Sequence, residues 1–102
     1  MKLEVAKRLH DAASACTELR ELCAGHTRES FLQYRMLQLS VWKLIEVVGE
    51  ALHQAERIDP TLTERVPDLR VIINTRHRIV HDYDGVSFRL LWDIFEHDIP
   101  SL

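Results

Sequence analysis

Cysteine, glycine and proline are all scarce in this chain, and no long apolar run occurs. Two cysteines, Cys16 and Cys23, are too few for a disulfide scaffold or a four-ligand zinc site of their own. On one predicted helix they stand about 10 Å apart along the axis, beyond disulfide reach. Three glycines and three prolines exclude collagen-like or low-complexity chains. No apolar run approaches the roughly 18 residues of a membrane span, and Met1 opens a polar, mixed-charge segment unlike a signal peptide. β-branched residues nowhere alternate with period two, so no strand is predicted. No glycine-rich phosphate loop, nucleophile elbow or carboxylate pair is present. The net charge of −3 excludes a general polyanion binder. What remains is a cytoplasmic, single-domain protein over residues 1–102 with reduced thiols. A chain this short buries only about 60–70% of its unfolded surface, which makes a dimer expected.

What is present is helical periodicity. In residues 2–24, Val5, Leu9, Ala12, Cys16, Leu19 and Cys23 alternate spacings of four and three and keep one face apolar. Gly25 is placed to end that helix, and Thr27 or Ser30 to cap the next. Residues 29–56 repeat the pattern with Tyr34, Leu37, Val41, Leu44, Val48, Ala51 and Ala55. Leu32, Met36, Leu39, Trp42 and Ile45 lie off that stripe, so this helix has a second apolar face, of the kind a partner chain covers. Thr61-Leu62-Thr63-Glu64 has capping-box form and predicts one short turn. Pro67 and Asp68 suit the start of a third long helix with the stripe Leu69, Ile72, Arg76, Ile79 and Tyr83, stopped by Asp84-Gly85. Ser87 can cap a last helix carrying Phe88, Leu91, Trp92 and Phe95, closed by Pro100. The prediction is an all-α, up-and-down four-helix bundle with one short extra turn. Trp42 and Trp92 are expected in its core or at a dimer contact.

Arg76 breaks the third stripe where an apolar residue is expected. A snorkelling or ion-paired arginine is the plain explanation. Its neighbours suggest another. His77 and His81 are i and i+4 and share a face, while Tyr83 is i+7 from Arg76. Histidine titrates near neutrality, as acid–base catalysis requires, and arginine offers a permanent cation with fork geometry for phosphate. RNA carries its own nucleophile, the 2′-hydroxyl, so a base and a cation suffice and no metal or cofactor is needed. The strip 65–78, with Arg65, Arg70, Arg76 and Arg78 against Asp68, is locally +3, whereas residues 79–98 are −4. Glu50-x-x-His53 and His77-x-x-x-His81 lack the further ligands that a metal site needs, so no metal ligand is assigned.

Arg76-x4-His81-x-Tyr83 followed by Gly85-Val86 resembles the signature of the HEPN superfamily in its HepT-like toxin branch. Glu46-Val47-Val48-Gly49-Glu50-Ala51, Val66-Pro67 and Leu91-Trp92-Asp93-Ile94 with Pro100 are similar to other stretches of that branch. The resemblance implies a HEPN-like helical homodimer in which the motifs of both chains line one cleft. That would answer a geometric difficulty, because on one helix Arg76 and His81 lie about 140° and about 7.5 Å apart. It further implies a metal-independent ribonuclease toxin that leaves 2′,3′-cyclic phosphate ends. Arg76 and His81 would be catalytic, with no cofactor. Its partner would be a nucleotidyltransferase antitoxin of the MntA kind, which attaches AMP to Tyr83. The family carries a polar residue, often Asn, after the arginine; here His77 stands as a candidate supporting residue. The alternatives are a non-catalytic helical dimer that binds a nucleotide or a nucleotidyltransferase, and a purely structural dimer held by the Arg/His cluster.

Overall fold

The computed structural model describes residues 2–66, 69–74 and 87–99, which form helices joined by short turns with no strand among them. Helix α1 spans Leu3–Cys23, α2 Arg28–Leu32, α3 Arg35–Ile58 and the single turn α4 Leu62–Arg65. Residues 69–74 form α5, and α6 spans Phe88–Asp93 before widening into a π-type turn, Ile94–Asp98. The predicted third helix meets the described residues only at 69–74. Its start at Pro67 and Asp68 and its continuation to Tyr83 lie outside them.

Helix α1 follows its stripe. Val5, Ala12, Cys16, Leu19 and Cys23 are buried, joined by Ala15, with Leu9 packed at the edge. It ends where predicted: Gly25 takes a positive φ of 79°, and the His26 amide donates to the Cys23 carbonyl at 3.0 Å. Both predicted caps then serve in one box. The Ser30 amide donates to Thr27 Oγ1 at 3.2 Å, and the Thr27 amide donates to Ser30 Oγ at 2.9 Å.

The single helix predicted over 29–56 is in fact two. After α2 the chain tightens, with the Gln33 amide donating to Ser30 O and the Tyr34 amide to Phe31 O, both at 3.2 Å. Buried Gln38 reaches back, its Nε2 donating to the Phe31 carbonyl at 3.0 Å, and so satisfies a helix-end acceptor inside the core. The break turns Tyr34 outward to 48% exposure, and the true core stripe of α3 is Leu37, Val41, Ile45, Val48, Leu52 and Ala55. Ile45, assigned by periodicity to a second face, is fully buried, while Leu44 is only half-buried.

Helices α1 and α3 pack antiparallel. One cavity between them is lined by Arg8 and Asp11 together with Glu50 and Gln54, and another, further along, by Glu18 and Leu22 together with Leu39 and Ser40. The other apolar face of α3 finds much of its cover inside the same chain. Trp42 packs edge-on to Phe88 at 5.8 Å, and Phe31 lies 5.2 Å from Trp92, which lies 5.2 Å from Phe95. Leu32 packs at the core margin, leaving Met36 and Leu39 exposed. The expectation that a partner chain covers this whole face is corrected to that extent.

Ser87 caps α6 as predicted, accepting from the Leu90 amide at 3.3 Å. The last helix is not regular to Pro100, however. The Ile99 amide donates to the Ile94 carbonyl, five residues back. On an α-helix those side chains would point about 140° apart, and the wider turn lets both enter the core.

Phe31, fully buried in the aromatic cluster, supports the docking of α6 on α3. Phe31→Ala is expected to cost about 3–5 kcal/mol in urea denaturation. Leu3→Ala, at an 87% exposed position, is expected to cost no more than about 0.5 kcal/mol.

Candidate functional site

Arg76, His77, His81 and Tyr83 all lie outside the described residues, as do Arg78 and the Asp84-Gly85 stop. What the structure describes is the chain on either side of them: α5, described as far as residue 74, and Ser87, four residues after Tyr83.

Helix α5 is held by its apolar face and by one buried carboxylate. Leu69, Ile72 and Ile73 are at most 1% exposed. Glu56, buried near the end of α3, accepts from Thr63 Oγ1 of α4 at 2.9 Å and pairs with Arg70 of α5 at 2.9 Å. One side chain thereby ties three elements together. Next to it, Asp59 pairs with Arg65 at 2.7 Å and accepts from the Thr61 amide at 3.1 Å and the Thr61 hydroxyl at 2.5 Å. The Thr61 hydroxyl bond, with the amide and Arg65 adding to it, holds the Asp59 carboxyl below its ordinary range. The capping box predicted from Thr61 to Glu64 is therefore absent. The short turn forms, but Thr61 gives no side-chain cap, because its polar groups are committed to Asp59.

These ion pairs change the charge reading. Two of the four arginines in the strip 65–78, Arg65 and Arg70, already face carboxylates of the α3 end. Arg28 pairs likewise with Asp93. Arg35 differs: its guanidinium carbon sits 5.6 Å over the Phe88 ring centroid, and among the described residues no carboxylate pairs with it.

Other candidates stay structural. Cys16 and Cys23 are buried and free, and burial pushes both thiols up, Cys23 to about 11, so they remain neutral and inert near pH 7. Among the described residues no three His, Cys, Asp or Glu side chains gather to hold a metal ion. The furrow between α1 and α3, about 630 Å³, is rimmed by Asp11, Glu18, Glu46 and Glu50 against Arg8 and Lys43, an unfavourable lining for phosphates. No helix among the described residues is long and apolar enough to cross a membrane. Sequence reasoning missed Glu56, Gln38 and Arg35. The first two could have been flagged as Arg76 was, being polar residues on an apolar face; Arg35 left no signal at all.

A family model described as "Ribonuclease HepT-like" matches residues 12–102, and the chain belongs to that HepT-like family. A relative from Thermococcus cleftensis, named "Probable ribonuclease HepT", is 31% identical over 102 residues, covering 100% of this chain and 92% of its own. A Methanocaldococcus jannaschii protein provisionally designated RNase MJ1380 is 24% identical over 103 residues, covering 99% of this chain and 92% of its own. No solved structure matches the chain.

Glu56→Ala is expected to lower stability by about 2 kcal/mol, since it releases two hydrogen bonds to a charged group. Arg70→Ala, which removes a 59% exposed partner, is expected to cost under about 1 kcal/mol. Paired thermal melts compare the two. Equal losses would show that Glu56 is not the node.

Proposed function

We propose that this chain is a ribonuclease toxin that cuts RNA without a metal, its active site built from Arg76 and His81 of two copies of a four-helix bundle meeting at one cleft. The observation that carries the reading is the Arg76-x4-His81-x-Tyr83 spacing in a chain of the HepT-like family. In the proposed reaction one His81 imidazole takes the proton from a ribose 2′-oxygen, which attacks the adjacent phosphorus. Arg76 balances the charge that develops on the non-bridging oxygens. The 5′-oxygen leaves with that proton, returned by the same imidazolium through solvent, giving a 2′,3′-cyclic phosphate and a 5′-hydroxyl and resetting the base. His77, one residue from Arg76, would support the site.

Regulation follows from the same residues. A nucleotidyltransferase antitoxin would join the Tyr83 oxygen to the α-phosphorus of ATP, with loss of the phenolic proton and release of pyrophosphate. The resulting AMP would set an anion beside Arg76, occupying its phosphate site and repelling RNA. Toxin and antitoxin would both act in the cytoplasm.

One observation favours the second reading, a non-catalytic dimer that binds a nucleotide or a nucleotidyltransferase: the basic strip is half neutralised by Asp59 and Glu56. Incubation with RNA in EDTA decides between them. Cyclic phosphate ends are expected from the natural protein, with His81→Ala and Arg76→Ala slower by about 10²–10⁴-fold. Intact RNA, or equal cutting by His81→Ala, would leave the second reading standing. With an active cognate nucleotidyltransferase and ATP, mass is expected to rise in AMP steps and to stay constant for Tyr83→Phe.

A further inference from the structure

We infer that Arg35 is an RNA-phosphate contact of this protein, held in place by the Phe88 ring; the inference rests on RNA being the substrate proposed above. Three observations carry it. The first is charge. Arg28, Arg65 and Arg70 are each opposed by a carboxylate; Arg8, Arg20, Arg35, Arg57 and Arg89 are not among the described residues' ion pairs, and of these Arg35 is the one set on an aromatic face, its Cζ 5.6 Å from the centroid. A ring attracts the guanidinium without neutralising it, so the cation and its in-plane donors remain available to a phosphate.

The second is preorganisation. Arg35 is exposed, but the ring beneath it is fixed. Phe88 is half-buried and edge-packed against Trp42 at 5.8 Å and Phe31 at 6.5 Å. A stacked arginine gives up less side-chain freedom on meeting a ligand than a free surface arginine does.

The third is position. Phe88 comes five residues after Tyr83 and three after Gly85, so Arg35, at the start of α3, is docked on the segment that leaves the motif. The acidic rim of the α1–α3 furrow makes that face the unfavourable one for a polyanion. An RNA strand lying over the Arg35–Phe88 side would meet a guanidinium in place of that acidic rim, with one phosphate against it.

The test is direct binding, so that it does not depend on cleavage. The full chain carrying His81→Ala, to keep the RNA whole, is titrated with a fluorescein-labelled short single-stranded RNA at several salt concentrations and followed by anisotropy. Adding Arg35→Ala is expected to weaken binding several-fold and to reduce the slope of log K against log salt by about 0.7, the contribution of one single-strand phosphate. Arg35→Lys should keep the slope, and Phe88→Leu should weaken binding with a smaller change in slope. Circular dichroism melts accompany each variant, because a merely structural role would move the melting temperature and leave the slope unchanged. Displacement of the RNA by inorganic phosphate at comparable concentration would show a free-phosphate site and overturn the assignment. Equal affinity and slope with and without Arg35 would overturn the inference alone. No RNA binding by the chain with Arg35 intact would overturn the substrate reading, and the inference with it.

Discussion

The antiparallel seam between α1 and α3 is the constraint on which the rest of the structure depends. It joins the apolar stripe of one long helix to that of another, with Val5, Leu19, Val41, Ile45 and Val48 at most 1% exposed. In so short a chain that seam is most of the core, and every other element is attached to it. The attachments are of two kinds. At one end of α3 the aromatic cluster around Phe31, Trp42, Phe88 and Trp92 holds α6. At the other, Glu56 and Asp59 hold α4 and α5 by charge. The break between α2 and α3 belongs to this scheme, since it allows Phe31 to reach Trp92, and Gln38 keeps the interrupted backbone satisfied.

The motif falls between two segments that are both fixed to α3. The catalytic reading asks for two groups about 140° apart on an ideal helix to act on one phosphodiester, and two copies meeting at a cleft would supply that arrangement where one copy would not. A substrate with its own nucleophile would lower what the protein must provide to a base and a cation, which suits a small helical scaffold. Neutralising Arg65 and Arg70 has a consequence for such a site. Two of the strip's four cations are paired with carboxylates of the α3 end, which argues against a broad basic face, in keeping with the net charge of −3.

How much was legible in the sequence follows from where the controlling interaction lies. Helix α1, its Gly25 stop and the caps at Thr27 and Ser87 were readable because stripe, positive φ and cap are local. The break before α3 was not, because no glycine or proline marks it and the side chain that satisfies it stands seven residues from the carbonyl it meets. Counting charges by window found four arginines in 65–78 but missed that two were answered by Asp59 and Glu56, which precede the window. Thr61 looked like a cap because the box is a spacing rule, whereas Asp59, two residues earlier, competes for its polar groups. Of the site, the residue types and spacing could be read directly. The placement of Arg35 on Phe88 could not, because nothing local to it names that ring as its partner.

The account's central claim, that one cleft draws on both copies, is tested most directly by mixed dimers. Arg76→Ala and His81→Ala chains, each strongly slowed alone, are unfolded together, refolded and assayed on RNA. The account predicts that the mixture regains cleavage, since hybrid dimers retain one arginine and one imidazole at the shared cleft. A mixture as slow as its two components would contradict it.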